Sequence, residues 1–512
     1  RTLGKGGASP SPRCVGDDEA LGTRTMSPML RFLIAGHDND EDGGGDQRGV
    51  LYQCAMLASA SADDDERAWS SDPARLEDDS ASWEDDGPAV LGAESLLESF
   101  VENMGGTNAL PAVFRLVEIL LSGGGGGWKE QRASLSILER CLCAAPATFA
   151  PHVPAAVDAA LRLVRSAHPR VQYQATQLLG ALCRSSKDDS DDEDVSKKEN
   201  EVSVRGTYGR SILEALAVLV RSPCSKVASH ACLAVVSYCR GGDGNAVVVG
   251  REFVVPYVGG LLESLRAGPL SVDLSNPADL MNGGGMAVLI RAVGAVACLA
   301  DASGEDFAPH YGIVGGLISC AHFGLDRSND DGGGIILRPT PGVENTHEAG
   351  MLRGAAIEAA SIVGQAVCGP GGENVEVYAN DASEIMTIAT TLLDRGGGKE
   401  GEEDVIPMDQ LLAACARIAA VMGERYLPFA SGVLPHILRR ASERVEVSVT
   451  DDDGGNDDDD GGHAVTIPGM GSKRVRINTT QLEEKAQASR ALYEHARALG
   501  ADFGQFVTGC AD

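Results

Sequence analysis

Four segments repeat one helical pattern at intervals that leave little freedom for the fold. RVQYQATQLLGALC (170–183), KVASHACLAVVSYC (226–239), MAVLIRAVGAVACLA (286–300) and MLRGAAIEAASIVGQAV (351–367) each put a small residue four places after an aliphatic: Val171 and Ala175, Val227 and Ala231, Val288 and Ala292, Leu352 and Ala356. The four alanines step by 56, 61 and 64 residues. Apolar residues at this spacing line one face of a helix. A unit that recurs at such intervals builds a stack of repeats, in which neighbours bury what one unit cannot bury alone. At 512 residues the chain is also too long for a single core.

A second kind of helix alternates with the first. FAPHVPAAVDAAL (149–161), FVVPYVGGLLESL (253–265), FAPHYGIVGGLIS (307–319) and YLPFASGVLPHIL (426–438) align on Pro151, Pro256, Pro309 and Pro428, with a ring side chain just after the proline and aliphatics at helical spacing beyond it. Proline suits the first helical turn, where its missing N–H has no intrahelical partner, so each copy reads as a helix start. Pro435 lies two turns further in and is expected to break and bend its helix. YGRSILEALAVLVR (208–221) and NDASEIMTIATTLLDR (380–395) take the same place without a proline.

The expected fold is therefore all-α, a HEAT-repeat superhelical solenoid carrying flexible acidic and Gly-rich inserts. Helix pairs fall near 90–122, 128–166, 170–222, 226–267, 286–324, 351–395, 408–442 and 482–512, the last truncated, so that residues 87–512 form the array. His168-Pro169-Arg170-Val171 ahead of Ala175 also approximates the proline-x-valine opening of HEAT units. An armadillo unit would need a third short helix, a tetratricopeptide unit its Trp-Leu-Gly-Tyr pattern, and a pack of unrelated helices would show no period. Residues 1–86 are poorly patterned, with acidic loops and helical stretches at 29–36 and 50–60. Inserts 187–206, 325–348 and 447–475 are expected to be disordered, because Gly- and Asp-rich segments bury too little to offset the entropy of ordering.

Charge and cysteine usage narrow the class further. The net charge is −31, which argues against direct nucleic-acid binding and for basic partners. Five acidic runs, 38–46, 63–66, 77–86, 188–194 and 451–460, hold 28 of the 74 acidic residues and no Lys or Arg, so the remaining scaffold is nearly neutral. Thirteen cysteines are scattered singly without CxxC, the usage of a reducing compartment. No apolar run approaches the ~18–20 residues of a membrane helix, the best being interrupted by Arg291, so membrane insertion is not expected.

No constellation supports catalysis, a metal or a cofactor, and the chain is expected not to be an enzyme. Gly398-Lys399 is followed by Glu400 rather than Ser or Thr, and no glycine run stands between a strand and a helix, which removes the phosphate loop. Cys224, His230, Cys232 and Cys239 could be imagined around zinc, yet Cys232 and Cys239 share a helical face with Val235 and Val236, where a core thiol belongs. The insert KDDSDDEDVSKKENE (187–201) reads either as a solvated spacer or as an electrostatic lure for a basic partner. DDDGGNDDDD (451–460) has the same two readings. Lys473, Arg474 and Arg476 form a basic run on a surface strand or loop.

Over a long collinear stretch the residues resemble a known family. Trp69 and LEDDSASWEDD, GAESLLESFVENMGG (92–106), HPRVQYQA (168–175), FVVPYVGGLL (253–262), LADASGEDFAPHY (299–311), LRGAAIEAASIVGQAV (352–367), NDASEIM (380–386), MGERYLPFASGVLPHIL (422–438) and INTTQLEEKAQASRALYEHARALGADFGQFV (477–507) come in order. Together they are similar to the importin-β superfamily of nuclear transport receptors, in particular the importin-five branch, also called Ran-binding protein five, over its middle and C-terminal repeats. The resemblance implies a shuttling monomer of cytoplasm and nucleus whose second helices line a concave cargo surface. It also implies cargo release by the GTP-bound form of Ran, through repeats nearer the family's N-terminus, and Phe-Gly nucleoporins in clefts between the outer helices. Acidic positions on the second helices, Asp158, Glu214, Glu263, Asp381 and Glu384, are then candidates to meet Lys or Arg of a cargo. Asp188, Asp189, Asp191, Asp192, Glu193 and Asp194 of the acidic insert are a second set. A HEAT scaffold of another class, such as a phosphatase regulatory or chromosome-organising subunit, is the competing expectation.

Overall fold

The computed structural model describes residues 50–58, 87–122, 127–185, 203–241, 247–274, 280, 284–329, 335–339, 347–369, 374–396, 408–443, 447–451, 462–466 and 473–506. These residues divide into two units, the boundary falling between Ala159 and Ala160.

The first unit is helical. Helix α1 (Val50–Ala58) packs on α2 (Gly87–Met104) and α4 (Trp128–Ala144), while α3 (Gly106–Ser122) folds back on both α2 and α4. The α2–α3 corner turns on Gly105, whose φ of 74° is open to glycine and strained for other residues. Leu97, Val101, Leu116, Leu120, Leu135 and Leu138 are buried between these helices. Phe114 of α3 stacks on His152, with centroids 4.1 Å apart, just before α5 (Val153–Leu163).

The second unit is a two-row stack. Its first helices are α6 (Pro169–Ser185), α8 (Ser225–Cys239), α10 (Gly285–Ser303), α12 (His347–Cys368), α14 (Met408–Met422) and α16 (Thr479–Leu499), each packed on the next. Its second helices are α7 (Val204–Leu219), α9 (Arg251–Ala267), α11 (Val314–Ala321), α13 (Val375–Gly396) and α15 (Leu427–Ser442). In this row α7 packs on α9, α11 on α13, and α13 on α15. The repeated pairs that mark the sequence, from Val171 and Ala175 to Leu352 and Ala356, are all buried in the first-helix row. The small partner in each pair lets adjacent first helices approach closely.

The prolines behave less uniformly than the sequence suggests. Pro428 sits in the first turn of α15, as expected of a helix start. Pro151 and Pro309 instead lie in 3-10 turns, Ala150–His152 and Gly304–Ile313, that lead into α5 and α11. Pro256 is inside α9, five residues after its first residue, and α15 continues through Pro435 to Ser442. Each interior proline removes one ladder bond, and packing against neighbouring helices outweighs that local loss.

Two inserts expected to be disordered contain strands. Leu325–Asn329 (β3) pairs antiparallel with Ile335–Pro339 (β4). Val447–Asp451 (β5), Gly462–Thr466 (β6) and Lys473–Asn478 (β7) form a sheet in the order β5-β7-β6, so the basic run Lys473, Arg474 and Arg476 lies on its central strand. A further two-residue pair, Arg240–Gly241 (β1) with Val247–Val248 (β2), follows α8. The alternation in VSVTD and KRVRIN is the period of a strand, and the Gly and Asp of these inserts had masked it.

The segment Gly285–Ala321 is by length and composition apolar enough to cross a membrane, despite Arg291, but 72% of its most apolar window is buried inside the fold. That is the signature of core helices α10 and α11.

Apart from half-buried Cys224, the described cysteines of the stack are core residues. Burial pushes the Cys232 thiol up to about 12 and Cys415 likewise. His230 faces the edge of Tyr173 at 4.4 Å, and burial, with Arg291 and Lys226 nearby, pushes its imidazole down to about 3. The folded state thus binds this proton less readily than the unfolded chain, so stability is full above the ordinary value of 6.5 and is lost as pH falls towards 3. Lowering the pH from 7 to 5 should cost about 2 kcal/mol through this one residue. Urea titrations at both pH values check this: His230→Phe should shrink the pH-dependent loss, and an undiminished loss would assign it elsewhere.

Candidate functional site

Helix α13 organises the second-helix row. Tyr378, Ala382, Ile385, Met386, Ala389 and Leu393 point into the core, which leaves Asp381, Glu384, Thr387, Thr391 and Asp394 as an outward stripe at three- and four-residue spacing. Thr387 and Thr391 donate to the carbonyls of Ser383 and Thr387, each at 2.8 Å. Their hydroxyl lone pairs stay available to an outside donor.

The carboxylates of this stripe reach into the neighbouring repeats. Asp381 accepts a hydrogen bond from the Tyr311 hydroxyl, and Glu384 Oε1 lies 2.9 Å from His322 Nε2. Burial first, and then the bond to Asp381, raises the Tyr311 phenol above its ordinary value and keeps it a proton donor. On the other side Asp394 lies 3.6 Å from His436 Nε2, and Glu376 pairs with Arg425. One helix is thereby tied by polar contacts to the repeat before it and the repeat after it.

The remaining sequence candidates stand differently. Glu214 on α7 is exposed and paired at 2.8 Å with Arg210 one turn earlier, in water where such a pair is weak. Glu263 on α9 is exposed and has no ion pair among the described residues. Asp158 is exposed on α5, in the other unit. Asp188, Asp189, Asp191, Asp192, Glu193 and Asp194 lie outside the described residues. Of the predicted set the fold brings together Asp381 and Glu384, with Tyr311, His322, Arg425 and His436 added by packing. Tyr311, two places after Pro309, was visible in the sequence; its partner Asp381, 70 residues away, was not.

Among the described residues no three His, Cys, Asp or Glu side chains are grouped to hold a metal. Cys224 is half-buried at the start of α8, and Cys232 and Cys239 are sealed inside it with thiols raised by burial.

A two-row stack of successive helix pairs defines a HEAT-repeat solenoid, in which each repeat packs on its neighbours. Among the solved structures that share this fold are those of the karyopherin Kap121p. Kap121p bound to Pho4p superposes with a TM-score of 0.63 at 19% identity, over 90% of this chain and 37% of that one. Kap121p bound to Nup53p does so with a TM-score of 0.62 at 19% identity and the same coverage. A Kap121p variant with three acidic residues replaced by lysine matches equally, with a TM-score of 0.62. In sequence the chain is 21% identical over 460 residues to importin subunit beta-3 of Saccharomyces cerevisiae, covering 90% of this chain and 36% of that protein. These likenesses support a relation to the importin-β superfamily. The chain spans little more than a third of the length of these relatives. No family model matches it.

Proposed function

We propose that the chain is part of a nuclear transport receptor of the importin-β type, on its importin-five branch. It is non-catalytic and holds proteins that carry basic localisation segments. Glu214, Glu263, Asp381 and Glu384 of its second-helix row meet Lys and Arg of the cargo, Asp158 of the other unit is a separate candidate for such contacts, and the acidic insert 188–194 attracts the cargo from a distance. The observation that carries this reading is that second helices of a karyopherin-like stack carry outward carboxylates, Glu214 on α7, Glu263 on α9, and Asp381 and Glu384 on α13, with Glu263 exposed and without an ion pair among the described residues. Exposed carboxylates of one sign steer a basic segment and fix its register, more through on-rate than through buried area. Release of cargo to GTP-bound Ran, transit through Phe-Gly nucleoporins and shuttling between cytoplasm and nucleus belong to the same reading.

The test is fluorescence anisotropy of a labelled lysine-rich peptide titrated with the chain. Glu214→Lys together with Glu263→Lys should weaken binding by about tenfold and lower its salt dependence, with the unfolding midpoint unchanged because both side chains are exposed. For the whole receptor, GTP-loaded Ran should displace the peptide and GDP-loaded Ran should not. Binding indifferent to both charge reversals, or displacement indifferent to the nucleotide, would favour a HEAT scaffold of another class.

A further inference from the structure

The tripeptide Arg-Ala-Ser occurs twice, at 132–134 and 440–442, and the fold treats the two copies oppositely. Ser134 lies inside α4, 0% exposed, and its hydroxyl donates to the Glu130 carbonyl at 2.8 Å. Ser442 is the last residue of α15 and is exposed. Its hydroxyl has no hydrogen bond among the described residues, whereas Ser319, Ser383 and Ser489 each donate to the carbonyl four residues earlier.

The second copy carries one arginine more. Arg439-Arg440 is the one Arg-Arg pair in the sequence, and it stands three and two residues before Ser442. Ser431, Pro435, Arg439 and Ser442 are exposed at four-, four- and three-residue spacing, so Arg439 and the Ser442 hydroxyl share the outward face of α15. The Arg440 side chain is 22% exposed and is held by Glu484 at 3.3 Å, Glu443 at 3.5 Å and Asp409 at 4.0 Å. A last helical turn is where a helix opens at least cost. Here the Glu443 N–H closes it on the carbonyls of Arg439 and Arg440, at 3.1 and 3.3 Å. Glu443 itself has left the helix, with φ −57° and ψ 138°.

We propose that Ser442 is a phosphorylation site for a serine kinase whose acidic substrate groove reads the two arginines ahead of it. Carboxylates of such a groove hold guanidinium forks through charge-assisted hydrogen bonds, and charge patterns of this kind separate one kinase's substrates from another's. In the transfer the bond between the γ-phosphorus of ATP and the ADP oxygen breaks and a bond from that phosphorus to Ser442 Oγ forms. The hydroxyl proton passes to the kinase's catalytic aspartate. The product places a charge of about −1.5 to −2 on the outward face of α15, where the chain has a neutral hydroxyl. The site does not depend on the cargo reading.

The test incubates the whole chain with ATP, Mg²⁺ and the catalytic subunit of cyclic-AMP-dependent protein kinase, an arginine-directed enzyme, beside the free peptide of residues 436–446. Mass spectrometry of proteolytic fragments should find one phosphoryl group on Ser442 and none on Ser134. Opening the last turn should slow the chain by no more than about tenfold relative to the peptide. Arg439→Gln, at an exposed position, should slow the transfer by about tenfold in chain and peptide alike. A chain left unmodified at Ser442 while the peptide is phosphorylated would show that the fold hides the site, and overturns the proposal. A peptide that is not phosphorylated, transfer to Ser134 as fast as to Ser442, or a rate unmoved by Arg439→Gln overturns it as well.

Discussion

Gly364→Ala should cost the stack about 3 kcal/mol, and Gly364→Val should keep its central repeats from closing. A Cβ at Gly364 of α12 would overlap the ring carbons of Tyr378 on α13, and Tyr378 is 0% exposed. The first and second helices of this repeat meet at that ring, so the clash prises apart one hairpin and, through α13, the polar ties to both neighbours. Urea unfolding of the whole chain measures the loss. Adding Tyr378→Leu to Gly364→Ala should recover part of it, because the smaller side chain removes the overlap. A Gly364→Ala protein within 1 kcal/mol of the wild type would mean that the ring has another place to go.

Arg205→Met should destabilise the stack by about 3–5 kcal/mol. Arg205 is 2% exposed at the start of α7, yet its guanidinium serves two first helices at once. Its Nε donates to the Tyr238 carbonyl at 3.0 Å, near the end of α8, and its terminal nitrogen donates to the Cys183 carbonyl at 2.7 Å, near the end of α6. Both carbonyls belong to last turns, which have no intrahelical donor and carry the negative end of the helix dipole. The guanidinium also lies 5.8 Å from the Tyr238 ring. Methionine keeps the stem and leaves two buried acceptors without this donor. Arg205→Lys should recover less than half of the loss, since an ammonium cannot span both carbonyls as the planar fork does. Equilibrium unfolding ranks the three proteins, and an Arg205→Lys chain as stable as the wild type would show that charge rather than the fork carries the effect.

Both expectations concern residues that the periodic reading passed over. Gly364 falls within the first-helix pattern of 351–367 as an unremarked small residue, and Arg205 sits at the edge of an insert. What makes them important is a partner on another helix: Tyr378, or the last turns of α6 and α8. The same holds at the proposed cargo side. Spacing placed Asp381 and Glu384 on one outward stripe, but it could not tell that Tyr311 and His322, 70 and 62 residues away, engage them while Glu263 has no ion pair among the described residues.

By itself the sequence determined the repeat, the helical class and the buried positions from Val171 to Ala356, because a 3.6-residue period is a local property that every copy states again. The tertiary structure decided which carboxylates are engaged, which prolines start helices and which are absorbed within them, and where two inserts pair as strands. Those outcomes depend on distances between helices far apart in the chain, which side-chain size and packing set and which no local period encodes.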